Sequence, residues 1–295
     1  MKRKALFIIN PVSGGKKKDQ VPALIEKNLD MSRFEPTIVY TEQAMHGSDL
    51  AHDAAGKYDY VIAVGGDGTV NEIASAIVGT NTALGILPFG SGNGLARFLK
   101  LPMDTAKAIG ALNDERVETI DAAKLNDQWF FNMAGMGFDA HISEVFSHDK
   151  NRGFGAYVRS AFREIVNYKS ENYHIEIDGV SYDREAFMLS FANSSQYGNN
   201  AHVSPNASVQ DGLIDVCIIK PFPLYRFIEM GIRMFAKASE GSKYVEIIRG
   251  RNIIVKRNKS GPAHLDGEPQ LMSADAEINV VPQSLKIVTG KAFKH

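Results

Sequence analysis

The sequence predicts an α/β domain on a parallel sheet followed by an antiparallel all-β domain, and three observations carry that prediction. Up to about residue 125, short apolar runs alternate with helical patterns, the order of a parallel sheet with crossover helices. From about Trp129 closely spaced alternating stretches with turn signals take over, the pattern of an antiparallel sandwich or barrel. The chain has 295 residues, 44% hydrophobic and 23% charged, which is enough for two packed domains of ordinary size.

In the first part, residues 5–9, 37–40, 60–64 and 84–87 are the expected strands, with 21–29 and 70–78 among the helices. In the second, His174-Ile175-Glu176-Ile177 alternates and runs into the turn pair Asp178-Gly179. Residues 187–191, 213–219, 245–248 and 252–255 are further strands. One helix interrupts them, because Leu224, Phe227, Ile228, Gly231, Ile232 and Phe235 recur at helical spacing, either packed on the sheet or facing lipid. A last strand, 284–288, can rejoin either domain. The expected domains are residues 1–125, with 286–295 as a candidate completion, and residues 126–285.

Composition narrows the function classes. Lys+Arg number 33 against Asp+Glu 34, so no global basic field points to nucleic acid and no acidic excess points to a solvating tail. The single cysteine, Cys217, sits in Ile214-Asp215-Val216-Cys217-Ile218-Ile219; it forms no intrachain disulfide and reads as a buried strand residue suited to a reducing cytoplasm. Met1-Lys2-Arg3-Lys4 is basic, but the apolar stretch after it is too short for a secretory signal. No uncharged apolar run reaches the roughly 18 residues of a spanning helix, so a lipid substrate would have to be met from solution.

The strongest local pattern is Val64-Gly65-Gly66-Asp67-Gly68-Thr69-Val70-Asn71-Glu72, which follows a strand and opens a helix. Its glycines let backbone N–H groups approach phosphate oxygens, and the helix N-terminus adds partial positive charge. Asp67 is out of place beside polyphosphate unless a cation intervenes or it acts on a proton, so it is an organiser of Mg²⁺ or a helper in hydroxyl activation; the plainer alternative is a turn with an N-cap. Asn10-Pro11-Val12-Ser13-Gly14-Gly15 leaves the first strand before Lys16-Lys17-Lys18, lysines that are more often a solvated face than a ligand site. Pro88-Phe89-Gly90-Ser91-Gly92-Asn93-Gly94 follows another strand, and three such loops at one sheet edge can surround one nucleotide. No Walker motif and no dinucleotide fingerprint is present. Downstream, His264-Leu265-Asp266-Gly267-Glu268-Pro269 is a hairpin turn or a way to present a proton-accepting carboxylate. Asp211-Gly212-Leu213-Ile214-Asp215 is a turn entering a strand or a carboxylate-and-carbonyl site for a hard cation.

With these residues in view, the chain resembles the diacylglycerol kinase and sphingosine kinase superfamily over nearly its whole length, closest to the soluble bacterial lipid kinases. The resemblance rests on five motifs in family order: Asn10-Pro11-x-Ser13-Gly14, Gly65-Gly66-Asp67-Gly68-Thr69-x-Asn71-Glu72, Pro88-x-Gly90-Ser91-x-Asn93, Asp211-Gly212-Leu213-x-Asp215 and Asp266-Gly267-Glu268. It implies a Rossmann-like α/β nucleotide-binding domain with a parallel sheet, then a β-sandwich carrying the lipid site, and phosphoryl transfer at a cleft between the two. The cofactors it implies are ATP and Mg²⁺. Asn10, Pro11, Val12, Ser13, Gly14, Thr41, Gly66, Asp67, Gly68, Thr69, Val70, Asn71, Glu72 and Ser91 would contact ATP. Glu268 would accept the proton, with Asp67 organising the catalytic Mg²⁺ and Asp266 beside it in the catalytic set. In some lipid kinases the aspartate corresponding to Asp67 is itself proposed as the base. Asp211, with the carbonyls of Ser208 and Leu213, would hold a structural Mg²⁺.

One departure bears on substrate: bacterial diacylglycerol kinases tend to carry Gly-Thr-x-Asn-Asp in the third loop, and here Gly94 stands where the acidic residue is expected. The acceptor lipid, diacylglycerol-like or sphingoid-like, is left open. Expected partners are ATP and a lipid substrate at the membrane surface, with no nucleic acid; a homodimer is admitted, and the location is cytoplasmic with transient peripheral membrane association. An NAD kinase and a non-catalytic nucleotide- or lipid-binding regulator of the same fold are the alternatives.

Overall fold

The computed structural model describes residues 1–15, 17–147 and 154–294, so Lys16 of the lysine run lies outside the described residues. The chain divides into two compact units, Met1–Ile120 with Gln283–His295, and Asp121–Pro282.

In the first unit strands and helices alternate: β1 (Arg3–Ile9), α1 (Val21–Asn28), β2 (Phe34–Tyr40), α2 (His46–Ala54), β3 (Tyr60–Gly65), α3 (Asp67–Ile77), β4 (Ala83–Pro88), α4 (Gly94–Phe98) and α5 (Thr105–Leu112). The strands pair in parallel in the order β2-β1-β3-β4. Every residue of β3 and β4 is buried, which is why these strands read as unbroken apolar runs without alternation. Helix α1 enters with Pro22 in its first turn, where a missing N–H costs nothing. The chain's end returns to this unit: Ile287 lies parallel beside Leu84, and the Gly79 amide donates to the Ser284 carbonyl at 2.7 Å.

In the second unit the elements are β5 (Val117–Leu125), which begins in the first unit, then β6 (Gln128–Phe130), β7 (Met133–Gly137), α6 (Phe138–Ser147), α7 (Phe154–Glu164), β8 (Glu171–Ile177) and β9 (Val180–Ala186). There follow β10 (Met188–Ala192), β11 (Gln196–Gly198), β12 (Ala201–His202), β13 (Ile214–Ile219), α8 (Phe227–Phe235), β14 (Val245–Gly250), β15 (Asn252–Arg257), β16 (Gly261–Leu265), β17 (Glu268–Met272) and β18 (Asp275–Val288). One antiparallel sheet runs β14-β13-β10-β7-β16-β17; facing it are β18, β15, β8 and β9. Side chains of both sheets, among them Phe191, Val216, Tyr173, Ile175, Val255 and Ile278, share one buried core, so the second unit is a sandwich.

Burial follows from which faces are covered. In β15, Ile253, Val255 and Arg257 point inward while Ile254 and Lys256 face water. β13 is buried throughout, because Ile214, Val216 and Ile218 enter the inter-sheet core while Cys217 and Ile219 pack on the other face with Met230 of α8. Burial also pushes the Cys217 thiol pKa well up.

Candidate active site

In the first unit three glycine-rich loops leave β1, β3 and β4 at their carboxyl ends and are bonded to one another. Asn10 does the first part of this work. Its Oδ1 accepts from the amides of Val12 at 3.1 Å and Ser13 at 3.2 Å, and its Nδ2 donates to Thr69 Oγ1 at 3.1 Å, tying the first loop to α3. Asp67 opens α3 directly after Gly66 and ties the second loop to the third: its Oδ2 accepts from the Asn93 amide at 2.8 Å and its Oδ1 from the Gly94 amide at 2.9 Å. Asn93 holds a left-handed conformation, φ 50°, that asparagine tolerates, and its Nδ2 donates to the Gly90 carbonyl at 2.7 Å.

Two glycines are required by close contact, and Gly14 by conformation as well. Gly14 has φ 69°, and a Cβ there would stand 2.0 Å from the Phe89 carbonyl oxygen. A Cβ on Gly90 would stand 2.8 Å from Gly66 Cα. The loops therefore meet backbone to backbone, with the amino end of α3 opening at this edge.

The remaining predicted nucleotide residues divide by burial. Pro11, Val12 and Ser91 are exposed, Ser13, Gly68 and Asn71 are half-buried, and Thr41, Thr69 and Val70 are buried. The Thr41 amide continues the β1 ladder by donating to the Ile9 carbonyl at 2.9 Å. Glu72 Oε1 accepts from the Ser48 amide at 3.1 Å and so holds the first turn of α2. Lys18 corrects the solvated-face reading of the lysine run. It is 3% exposed, its Nζ donates to the Ser13 carbonyl at 2.5 Å, and it lies 5.0 Å from the centre of the Phe89 ring. Burial lowers its pKa. Lys17 is exposed. The sequence signal for Lys18 was only its place three residues beyond the loop, which charge counting hides.

In the second unit the β16–β17 hairpin turns on Asp266 and Gly267, with φ 49° and 91°, both positive as a two-residue type I′ turn requires. The two carboxylates of this turn part company. Asp266 is buried, and its Oδ2 accepts from the Phe131 amide at 3.0 Å while its Oδ1 accepts from the Asn132 and Met133 amides, each at 2.9 Å. Its own amide donates to the Met133 carbonyl at 2.8 Å. Asp266 thus nails the hairpin to the segment entering β7. Glu268, at the start of β17 and opposite Leu265, is exposed to water.

The turn at 208–213 is built by local bonds. Asp211 Oδ1 accepts from the Leu213 amide at 3.0 Å, Ser208 Oγ from the Gln210 amide at 3.2 Å, and buried Asp121 Oδ2 from the Gly212 amide at 2.7 Å. Asp215, two residues beyond, is buried against Ser204 and Arg249, and burial raises its pKa although both partners oppose it. One exposed carboxylate with neighbouring carbonyls is an oxygen-only set that fits a hard divalent ion. Among the described residues no group of three or more His, Cys, Asp or Glu side chains converges on a metal position, so carbonyl oxygens would have to complete such a site.

Sequence reasoning missed a buried polar cluster under β7, β10 and β16. Asp139 Oδ2 accepts from the Tyr197 hydroxyl at 2.7 Å and lies 3.0 Å from His264 Nε2, and Ser190 Oγ bonds the same Tyr197 hydroxyl. Gly135 makes room for it, since a Cβ there would stand 2.4 Å from Asp139 Oδ2. The available signal was a lone carboxylate inside the apolar stretch Met136-Gly137-Phe138-Asp139-Ala140.

Comparison with known proteins finds two family models along the chain. Residues 4–125 match the diacylglycerol kinase catalytic domain, and residues 132–289 match the YegS C-terminal NAD kinase beta sandwich-like domain. A Chromohalobacter salexigens protein named "Probable lipid kinase YegS-like" is 31% identical over 215 residues, covering 71% of this chain and 69% of that one. The diacylglycerol kinase of Bacillus subtilis is 26% identical over 272 residues, 90% of each chain. The crystal structure of a diacylglycerol kinase from Bacillus anthracis matches with a TM-score of 0.76 at 22% identity over 98% of both chains. An NAD kinase from Archaeoglobus fulgidus in complex with ATP matches with a TM-score of 0.55 at 14% identity, over 98% of this chain and 94% of that one. These last two are likenesses of fold. The domain matches and the curated relatives together mean that the chain belongs to the family of bacterial diacylglycerol kinases and YegS-like lipid kinases.

Proposed function

We propose that the protein is an ATP- and Mg²⁺-dependent lipid kinase that transfers the γ-phosphoryl group of ATP to a hydroxyl of a membrane lipid, diacylglycerol-like or sphingoid-like. The observation that carries this reading is the knitting of three glycine loops at one sheet edge, with Asn10, Thr69, Asp67 and Asn93 as the ties. Backbone amides held this closely suit polyphosphate oxygens, and charge stabilisation with positioning is most of what phosphoryl transfer asks of a protein.

In this proposal Asn10 to Gly14, Thr41, Gly66 to Glu72 and Ser91 contact ATP, and Asp67 organises the accompanying ion. Mg²⁺ supplies neutralisation of the phosphate charge. The lipid hydroxyl oxygen forms the new bond to γ-phosphorus as the bond to the β,γ-bridging oxygen breaks, ADP leaves, and the hydroxyl proton passes to the Glu268 carboxylate. Asp266, already accepting from three amides, positions the Glu268 turn and takes no proton. Ser208, Asp211 and Leu213 would hold the structural ion.

The test is transfer of labelled γ-phosphate to diacylglycerol, monoacylglycerol, sphingoid bases, ceramide and phosphatidylglycerol in mixed micelles, with NAD in a parallel arm and Glu268→Gln as control. A phosphorylated lipid that needs Mg²⁺ and falls by about 10²-fold or more in the variant is the expected result. Phosphorylation of NAD alone, or full activity in Glu268→Gln, refutes it.

A further inference from the structure

Phe131 and Asn132 lie between β6 and β7, outside the strands, and with Met133 they are buried. Buried backbone groups have to be paired, so the partners of these three residues decide how the segment is held. Asp266 takes the three amides with its carboxylate and gives its own amide to the Met133 carbonyl. The other two carbonyls go to the residues that follow β10. Asn193 Nδ2 donates to the Phe131 carbonyl at 2.7 Å, and the amides of Asn193 and Ser194 donate to the Asn132 carbonyl at 3.1 and 3.0 Å. Ser194 Oγ also bonds Asn132 Oδ1. Six buried backbone groups are thus held from two sides, by Asp266 on one and by Asn193 with Ser194 on the other.

Asn193 reaches further. Its second Nδ2 proton goes to the Asp121 carbonyl at 2.9 Å, and Asp121 is the buried residue whose carboxylate holds the Gly212 amide. One side chain therefore stands between the 208–213 turn and the segment that fixes the Glu268 hairpin. Asn193 is fully buried, and its Oδ1 has no partner among the described residues. A buried oxygen left unpaired is a cost, so the worth of this side chain lies in its NH₂ group, both protons of which are used.

We infer that Asn193 is a positioning residue for the proposed phosphoryl transfer: it orders residues 131–133, these hold Asp266, and Asp266 places the Glu268 carboxylate. This deepens the lipid-kinase reading and rests on it for the consequence in catalysis, while the tie itself is measurable without any substrate. Asn193→Leu keeps much of the side chain's size and removes both donors. The amides of Phe131, Asn132 and Met133 bond Asp266 and not Asn193, so their hydrogen exchange in the full chain reads an order carried through the segment. In the variant these three are expected to exchange about tenfold faster or more while the amides of β8 keep their wild-type protection. A merely destabilised protein would speed both together. With diacylglycerol or a sphingoid base in mixed micelles, whichever wild type phosphorylates, kcat should fall by about tenfold or more while KM for ATP stays within about twofold. Asn193→Ser keeps one donor and is the milder companion should the leucine variant not fold, with smaller changes at the same places. Wild-type exchange at residues 131–133, or acceleration that β8 matches, overturns the inference, as does an undiminished kcat in a variant whose three amides have loosened. A wild type that phosphorylates no lipid defeats the kinase reading instead, and loosened or unchanged amides then sustain or defeat the tie on their own.

Discussion

Replacing Asp266 separates positioning from proton transfer at the β16–β17 turn. Asp266→Ala strips the shared acceptor from the amides of Phe131, Asn132 and Met133, all within 3.0 Å of its carboxylate. Each buried donor left without a partner costs about 1–3 kcal/mol, and alanine at φ 49° adds about 1 kcal/mol. Even at the low end the loss is about 4 kcal/mol, a large share of the 5–15 kcal/mol that holds a typical domain together. At roughly 2–4 °C per kcal/mol for a unit of this size, the melting temperature should fall by about 8–16 °C. Asp266→Asn should lie between, because it keeps the turn conformation and one acceptor oxygen for Asn132 and Met133 but turns an NH₂ group toward the Phe131 amide. Thermal unfolding followed by circular dichroism gives the order. An Asp266→Ala protein melting within about 2 °C of wild type, and level with Asp266→Asn, would show that the anchoring argument is wrong.

Gly14→Ala should cost nucleotide affinity before it costs fold, since the new methyl displaces the third loop at the Phe89 carbonyl; calorimetric ATP binding should weaken by about tenfold or more while the second unit's unfolding stays in place. Arg184, then Lys220, hold the Glu246 carboxyl at about 2 instead of 4.5 against the opposing effect of burial. The folded value lies below the unfolded one, so this stability is complete above about pH 4.5 and is lost as pH falls toward 2. Glu246→Gln should flatten that part of the acid unfolding curve, a difference of about 1–2 kcal/mol once solvent screening is allowed for. Mg²⁺ should raise the melting temperature of wild type, and Asp211→Asn should remove most of that rise, a readout independent of catalysis.

Legibility in the sequence followed covering and contact. β1 and β3 were plain because buried parallel strands are continuous apolar runs, and α3 was plain because a glycine turn announces its start. The type I′ turn was equally plain from Asp266-Gly267. Harder to see were α6 and α7, whose apolar residues pack partly on one another and so interrupt the alternating rhythm expected of that half. The terminal strand could not be assigned to a domain because it serves both: Glu277 pairs with Ile254 in the second unit, and Ile287 lies beside Leu84 in the first. At the site, motif and spacing named the loops, but only distances reveal that Asp67, Glu72 and Asp266 have backbone amides as partners. Lys18 and Asp139 escaped because a buried charge looks, in one dimension, like any other polar residue.

The acidic residues of the five motifs therefore do different physical work. A carboxylate that accepts two or three amides is held in one place, and it fixes the loops that donate to it. Asp67 fixes the distance between the second and third glycine loops and Asp266 fixes the turn before Glu268; shortening or neutralising either should disturb geometry along with any effect on chemistry. Glu268 and Asp211 are the exposed members, able to exchange a water contact for a substrate hydroxyl or a metal ion without leaving a buried amide unpaired. That asymmetry is why Glu268, and not its neighbour two residues back, is the carboxylate assigned the proton. In the proposed mechanism the two carboxylates around Gly267 divide the work: Asp266 is held immobile by its amides so that Glu268 is placed.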